Sequence, residues 1–204
     1  YYSTEAQKYD IETLKSKDIT ILTNVSLSAV GENGATLSDG TFIPSQTVIS
    51  TIGLVASSLC NFFEGEKDNL GRLHVNEYLK LKEYENVIAA GDGANIPTDD
   101  EGNSSLMASQ FSMFLAKWAG HNAVNDLFSR PLKPYSYKDY VTCVDLGQQD
   151  GMLTTGWERS LAVSGIEGKN IKMEVTTKLI YPDNDVATAL EDSYPEVPNV
   201  SQNA

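Results

Sequence analysis

Read from the N-terminus, short apolar runs alternate with polar turns, and only one stretch has a sustained helical period. Glu5 to about Leu14 is short and mixed and reads as the end of a helix. Asp18–Thr23 is rich in β-branched residues and predicts a buried strand. Val25–Val30 alternates Val, Leu and Val with Ser and Ala, the period of a half-buried strand. Asn33-Gly34 and Asp39-Gly40 are hairpin turn signals, because both turns need residues that tolerate positive φ. Residues 19–43 therefore predict a small β-meander. Thr47–Ile52 predicts a further strand, ended by Gly53. Leu73 and Val75 make a short strand. Asn86–Ala90 is a compact apolar strand stopped by Gly91-Asp92-Gly93, and residues 97–102 form a polar, acidic loop.

Between Leu106 and Phe128 the period changes. Met107, Phe111, Phe114 and Trp118 recur at helical spacing, as do Leu115, Ala119 and Ala123. Asn103 or Ser104 can cap this helix, and Pro131 and Pro134 end it. Its wide apolar face predicts a central helix. Strand pattern then returns. Tyr140–Val144 and Met152–Thr155 flank Leu146-Gly147 and Asp150-Gly151 and predict a hairpin. Ile171–Thr177 alternates too, with a helix as the other reading. Residues 182–204 contain Pro182, Pro195, Pro198 and five acids, and predict an extended or disordered tail.

Composition narrows the function classes. The chain carries 28 acids against 15 bases, a net charge of -13, and its arginines are Arg72, Arg130 and Arg159. Phosphate binding needs clustered Lys and Arg, so nucleic acid is excluded as a partner. Cys60 and Cys143 are too few for a disulfide framework or a four-cysteine zinc site, and they form no C-x-x-C pair. No apolar run approaches the ~18 residues of a membrane span. The start at Tyr1, without methionine or signal-peptide pattern, reads as a fragment or a processed form. With few cysteines and no export signal, the cytoplasm is the default location.

Few residues could carry chemistry. Gly91-Asp92-Gly93-Ala94 follows a predicted strand, but a dinucleotide fingerprint needs a third glycine and an immediate helix. Here Ile96, Pro97 and an acidic loop follow, which would repel phosphate. What remains is a carboxylate in a glycine turn. It could accept hydrogen bonds from a sugar alcohol such as the ribityl chain of a flavin, or it could be an ordinary turn aspartate. His74 and His121 are isolated, with no ligand-spaced neighbours, so no metal site is expected. No G-x-S-x-G nucleophile elbow occurs.

The order of the pieces adds a resemblance. Asp39–Gly53 resembles the close of the NAD-binding domain in two-dinucleotide flavoproteins. Gly71-Arg-Leu-His-Val-Asn-Glu-Tyr-Leu79 looks like that family's "G-R-I-x-V-D-x-x-L" segment, and Asn86–Ala94 is similar to its second FAD motif, "N-V-F-A-x-G-D-x-A". Ser109-Gln110, the long helix, Arg130-Pro131, Tyr135 and Cys143–Leu153 resemble the type II NADH dehydrogenase-like branch, which often carries "C-I-S-L-G-R-R-D-G-L" at the last position. Ala116 stands where a glycine is frequent, Gln148-Gln149 replace paired arginines, and the branch's apolar C-terminal membrane-binding helices are not visible.

The resemblance implies an α/β chain (α+β for the fragment), the C-terminal portion of a two-dinucleotide-binding-domain flavoprotein of the pyridine nucleotide–disulfide oxidoreductase superfamily. Residues 1–54 would end the NAD(P)H-binding domain, and 55–130 would close the FAD-binding domain. Residues 131–181 would form a β-rich C-terminal interface domain, followed by the acidic tail 182–204. The implied activity is hydride transfer from NAD(P)H to FAD, then electron transfer to a quinone or another small acceptor. FAD would be held by Gly91, Asp92, Gly93, Ala94, Ser109 and Gln110. The resemblance also implies peripheral membrane association, at the inner face, and a homodimer as options for the full-length protein. The rival readings are a non-catalytic β-rich interaction or dimerisation domain, and a related flavoprotein reductase with a different acceptor.

Overall fold

Two glycine turns set the first sheet. Asp39 Oδ1 accepts a hydrogen bond from the Thr41 amide at 2.9 Å, and Gly40 takes the left-handed region at φ +86°. At the other turn, a Cβ on Gly34 would lie 2.1 Å from the Ile43 carbonyl oxygen, so no side chain fits. The result is an antiparallel meander of β1 (Leu27–Gly31), β2 (Gly34–Leu37) and β3 (Phe42–Pro44). The computed structural model describes residues 2–137, 139–181 and 184–196. It is a mixed α/β architecture of small sheets and helices. Two compact units divide it: Tyr1–Gly53 with Tyr140–Glu174, and Leu54–Asp139 with Val175–Ala204.

In the first unit, α1 (Thr4–Ser16) is capped by Ser3, whose hydroxyl accepts from the Ala6 amide. The expected hairpin forms as β6 (Val141–Asp145) and β7 (Gly151–Thr155), and β8 (Ser160–Ser164) completes an antiparallel sheet. Ala6, Leu146 and Met152 make its small core, with Tyr9, Leu14 and Leu161 packed around. After β8 the chain turns at Gly165 (φ +70°) into α3 (Gly165–Glu174). A Cβ on Gly168 would sit 2.5 Å from the Gly151 carbonyl oxygen, so this pair of glycines lets helix and strand backbones touch. Of the two readings of Ile171–Thr177, the helical one is realised: α3 runs into a π-turn at Val175–Leu179.

The second unit is organised by α2 (Ser109–Leu127). Its Phe111, Leu115, Trp118 and Asn122 are buried at the spacing of one helix face. Around Leu115 and Trp118 cluster Leu73, Val75, Leu79, Leu81, Ala94 and Ile96. Asn122 is a buried polar group with its capacity used. Its Nδ2 donates to the Tyr78 and Lys133 carbonyls at 3.0 and 2.9 Å, and its Oδ1 accepts from the Lys133 amide at 2.8 Å. The Trp118 indole donates to the Pro134 carbonyl at 2.8 Å and ties the following segment back to the helix, which ends at Leu127, before the expected prolines, with Ser129 at φ +52°.

Several expectations are corrected. Residues 18–23 and 47–52 form no strand. Ile49 and Ile52 are 83% and 84% exposed, and Asp18 takes a positive φ of 58°. β-branched composition marks a surface fit for a sheet, but a ladder needs a partner, and among the described residues these runs have none. Asn86–Ala90 likewise makes only an isolated bridge, Lys80 with Ile88. The cap of α2 is Ala108, without a side-chain hydrogen bond. Asn103 and Ser104 are used instead to close the acidic loop, where Asn103 Nδ2 donates to Asp99 Oδ2 at 2.6 Å and Ser104 bridges Pro97. The tail departs too. Asp185 caps α4 (Val186–Asp192), accepting from the Thr188 amide at 3.0 Å. The Tyr194 ring packs edge-on against His121, and Lys133 Nζ lies 4.9 Å from its centroid. One aromatic contact and a cation–π pair hold what apolar counting left loose. Residues 182–183 and 197–204 of the expected tail lie outside the described residues. No helix of the described residues is long and apolar enough to cross a membrane.

Candidate functional site

Beneath the candidate loop lies a saturated ion pair. Asp68 Oδ1 accepts from the Leu70 and Arg72 amides at 3.0 and 2.8 Å. Its Oδ2 accepts from Arg72 Nε at 2.6 Å and from Asn95 Nδ2 at 3.1 Å. Arg72 Nη1 also donates to the Ser105 carbonyl. Burial pushes the Asp68 carboxyl up, but the hydrogen bonds from Arg72 and Leu70 and the guanidinium charge outweigh it and hold it below the usual carboxylate range. This network ties the turn before β4 (Leu73–His74) to the parallel partner β5 (Ala94–Asn95) and to the approach to α2.

Gly91, Asp92 and Gly93 form a single 3-10 turn leading into β5. Asp92 thus precedes a short parallel strand rather than ending one. Gly91 takes φ +69°, a conformation that favours glycine. A Cβ on Gly93 would stand 3.3 Å from the Cys60 sulfur, so the loop rests on Cys60. Asp92 is exposed, and its Oδ1 accepts from the Ser112 hydroxyl at 2.8 Å. That bond sets the carboxylate beside the first turn of α2, where helix N–H groups favour negative charge. Ala94 is buried in β5. Ser109 is exposed and Gln110 half-buried, and both lie in the same first turn. Gln110 Nε2 donates to the hydroxyl of Tyr137, whose ring is buried, stacked on Phe114 at 4.0 Å and edge-on to Phe111. Burial pushes the Tyr137 hydroxyl up to about 12, against a lowering by the Gln110 bond, with Asp139 adding to the rise.

Comparison with known proteins gives this geometry its relatives. An NADH dehydrogenase-like protein of Mycobacterium tuberculosis is 37% identical over 171 residues, which is 84% of this chain and 42% of the relative. A probable NADH dehydrogenase of Dictyostelium discoideum is 28% identical over 69% of this chain and 31% of its own length. A demethylphylloquinone reductase of Synechocystis is 26% identical over 71% and 36%. The chain is homologous to the NADH dehydrogenase-like proteins. It spans less than half the length of these relatives. No family profile matches it.

For a chain related to the NADH dehydrogenase-like proteins, the structure brings the six candidate residues into two adjoining pieces. Gly91, Asp92, Gly93 and Ala94 form the loop and β5, Ser109 and Gln110 open α2, and the Asp92–Ser112 bond joins them. The sequence reading missed Ser112, Tyr137 and the Asp68–Arg72–Asn95 network. Arg72 carried a signal, since one of three arginines in a chain this acidic invites the search for a carboxylate partner. Ser112 carried none, because a serine on a helix reads as solvated. The thiols give no sign of nucleophilic use. Burial pushes the Cys143 thiol up, with Lys172 pulling the other way, and Cys60 lies buried under Gly93. A concavity of about 530 Å³ lies among Tyr2, Gln7, Asp10, Ile11 and Arg159, none of which the sequence reading marked for chemistry.

Proposed function

We propose that this chain is the C-terminal part of an FAD-dependent NAD(P)H dehydrogenase of the pyridine nucleotide–disulfide oxidoreductase superfamily, which passes electrons to a quinone or another small acceptor. The observation that carries the reading is the exposed Asp92, set between two glycines at the first turn of α2, in a chain homologous to NADH dehydrogenase-like proteins. FAD, when bound, would supply the two-electron chemistry, taking a hydride from NAD(P)H and passing electrons on.

The residues suit such a group. Asp92 offers a carboxylate to a ribityl hydroxyl. A Cβ at Gly91 would find only Ser112 within 4 Å, at 3.8 Å, so the loop presents bare backbone to a ligand. The first turn of α2 has no side-chain cap, and the amides of Ser109 and Gln110 are available to an electron-rich ring edge. The Tyr137 hydroxyl holds the Gln110 carboxamide in one orientation. Hydride transfer itself asks for no acid or base from this chain.

Titration of FAD into the apo form of the full-length protein tests the reading. Asp92→Ala should weaken binding by about ten- to a hundredfold, the worth of one charge-assisted hydrogen bond. Asp92→Asn should lose less, because the amide oxygen still accepts. Unchanged affinity in Asp92→Ala would favour a turn aspartate and, with it, the non-catalytic interaction domain.

A further inference from the structure

A serine inside a helix either points its hydroxyl to solvent or turns it back to the carbonyl four residues earlier, here Ala108. Ser112 instead sends its Oγ out of α2 to Asp92 Oδ1, at 2.8 Å. Gly91 adjoins this contact: a Cβ there would stand in ordinary contact, 3.8 Å from Ser112 Oγ and 4.0 Å from Ser112 Cβ, and it is the left-handed φ of +69° that asks for glycine. On its far side the same loop is backed by Cys60, whose sulfur lies 3.8 Å from the Gly93 carbonyl oxygen. Asp92 is exposed, so without Ser112 its carboxylate would sample several rotamers.

We propose that Ser112 is a positioning residue for the Asp92 carboxylate: its hydroxyl holds Oδ1 and leaves Oδ2 to accept a hydroxyl of a polyol ligand, the ribityl chain of FAD. The proposal rests on the flavin reading of Asp92. A carboxylate already held in one rotamer loses less freedom when the ligand docks, so affinity rises without a new contact to the ligand. The O–H donor also directs the accepting lone pairs, since an ionised carboxylate accepts at both oxygens.

The test is a double-mutant cycle on FAD binding to the full-length protein, with Ser112→Ala, Ser112→Thr, Asp92→Ala and the Ser112→Ala/Asp92→Ala pair. Ser112→Ala should weaken FAD by about three- to tenfold, the effect of one hydrogen bond that acts through another residue. Ser112→Thr keeps the hydroxyl and should return affinity to within about twofold of the original. In the Asp92→Ala background, Ser112→Ala should cost nothing further, because the group it positions is gone. Unchanged affinity in Ser112→Ala, with Asp92→Ala still weak, overturns the positioning role and leaves the flavin reading standing. An equal loss from Ser112→Ala with and without Asp92 also overturns it, since the serine then supports the fold alone. Unchanged affinity in Asp92→Ala removes the flavin reading and this inference together.

Discussion

Asp68 and Asp92 sit in the same unit, a few residues from the two partners of one parallel strand pair, and they have opposite fates. Asp68 is enclosed: its side chain is 12% exposed, Arg72's is 8%, and four donors from three residues fill both carboxylate oxygens. Asp92 is exposed and accepts one hydrogen bond among the described residues, from Ser112. A carboxylate whose lone pairs are all taken by its own chain can only hold the fold together. One with acceptor capacity left, on an open glycine turn, can meet a ligand. Residue type is the same in both cases, and the surroundings decide the role.

The contrast can be broken most directly at Asp68. Asp68→Ala leaves the Arg72 guanidinium buried without its carboxylate and should cost roughly 3 kcal/mol of stability, read by urea unfolding followed through tryptophan fluorescence. The same interaction should appear in a pH titration. Because the folded Asp68 carboxyl is held below its ordinary value, its stabilisation is full above the unfolded pKa of about 3.9 and is lost as pH falls through the folded value. Asp68→Asn should flatten that acid limb, and an unchanged limb would mean other carboxylates set it.

Asp92→Ala should do the reverse of Asp68→Ala. Stability should move by no more than about 0.5 kcal/mol, as at an exposed site, while the FAD titration shifts by about ten- to a hundredfold. The glycines beside Asp92 sharpen the picture of the loop. Gly91→Ala forces a side chain into the left-handed region and should cost about 1–2 kcal/mol, although the space there is open. Gly93→Ala meets only the Cys60 sulfur at 3.3 Å and should cost less than about 1 kcal/mol. If thermal unfolding ranks Gly93→Ala as the worse of the two, contact with Cys60, and not backbone conformation, governs the loop.

What the sequence determined by itself is what short-range physics controls. The Asn33-Gly34 and Asp39-Gly40 turns, the β6–β7 hairpin and the apolar face of α2 were legible, because turn chemistry and helical period act over a few residues. The resemblance to NADH dehydrogenase-like sequences was legible too, as the homology bears out. Only the tertiary structure decided the rest. The runs 18–23 and 47–52 have the residues of strands yet stay exposed, since a ladder is a property of two segments and not of one. The tail around Tyr194 and Pro195 docks on His121 of α2 and on Lys133 in the segment after that helix, about 60 to 75 residues earlier, a distance at which no local pattern can report. Asp68 with Arg72 and Asn95, and Asp92 with Ser112, are likewise pairings across the chain: the sequence supplies the carboxylates, and folding supplies the donors that make one a strut and leave the other open.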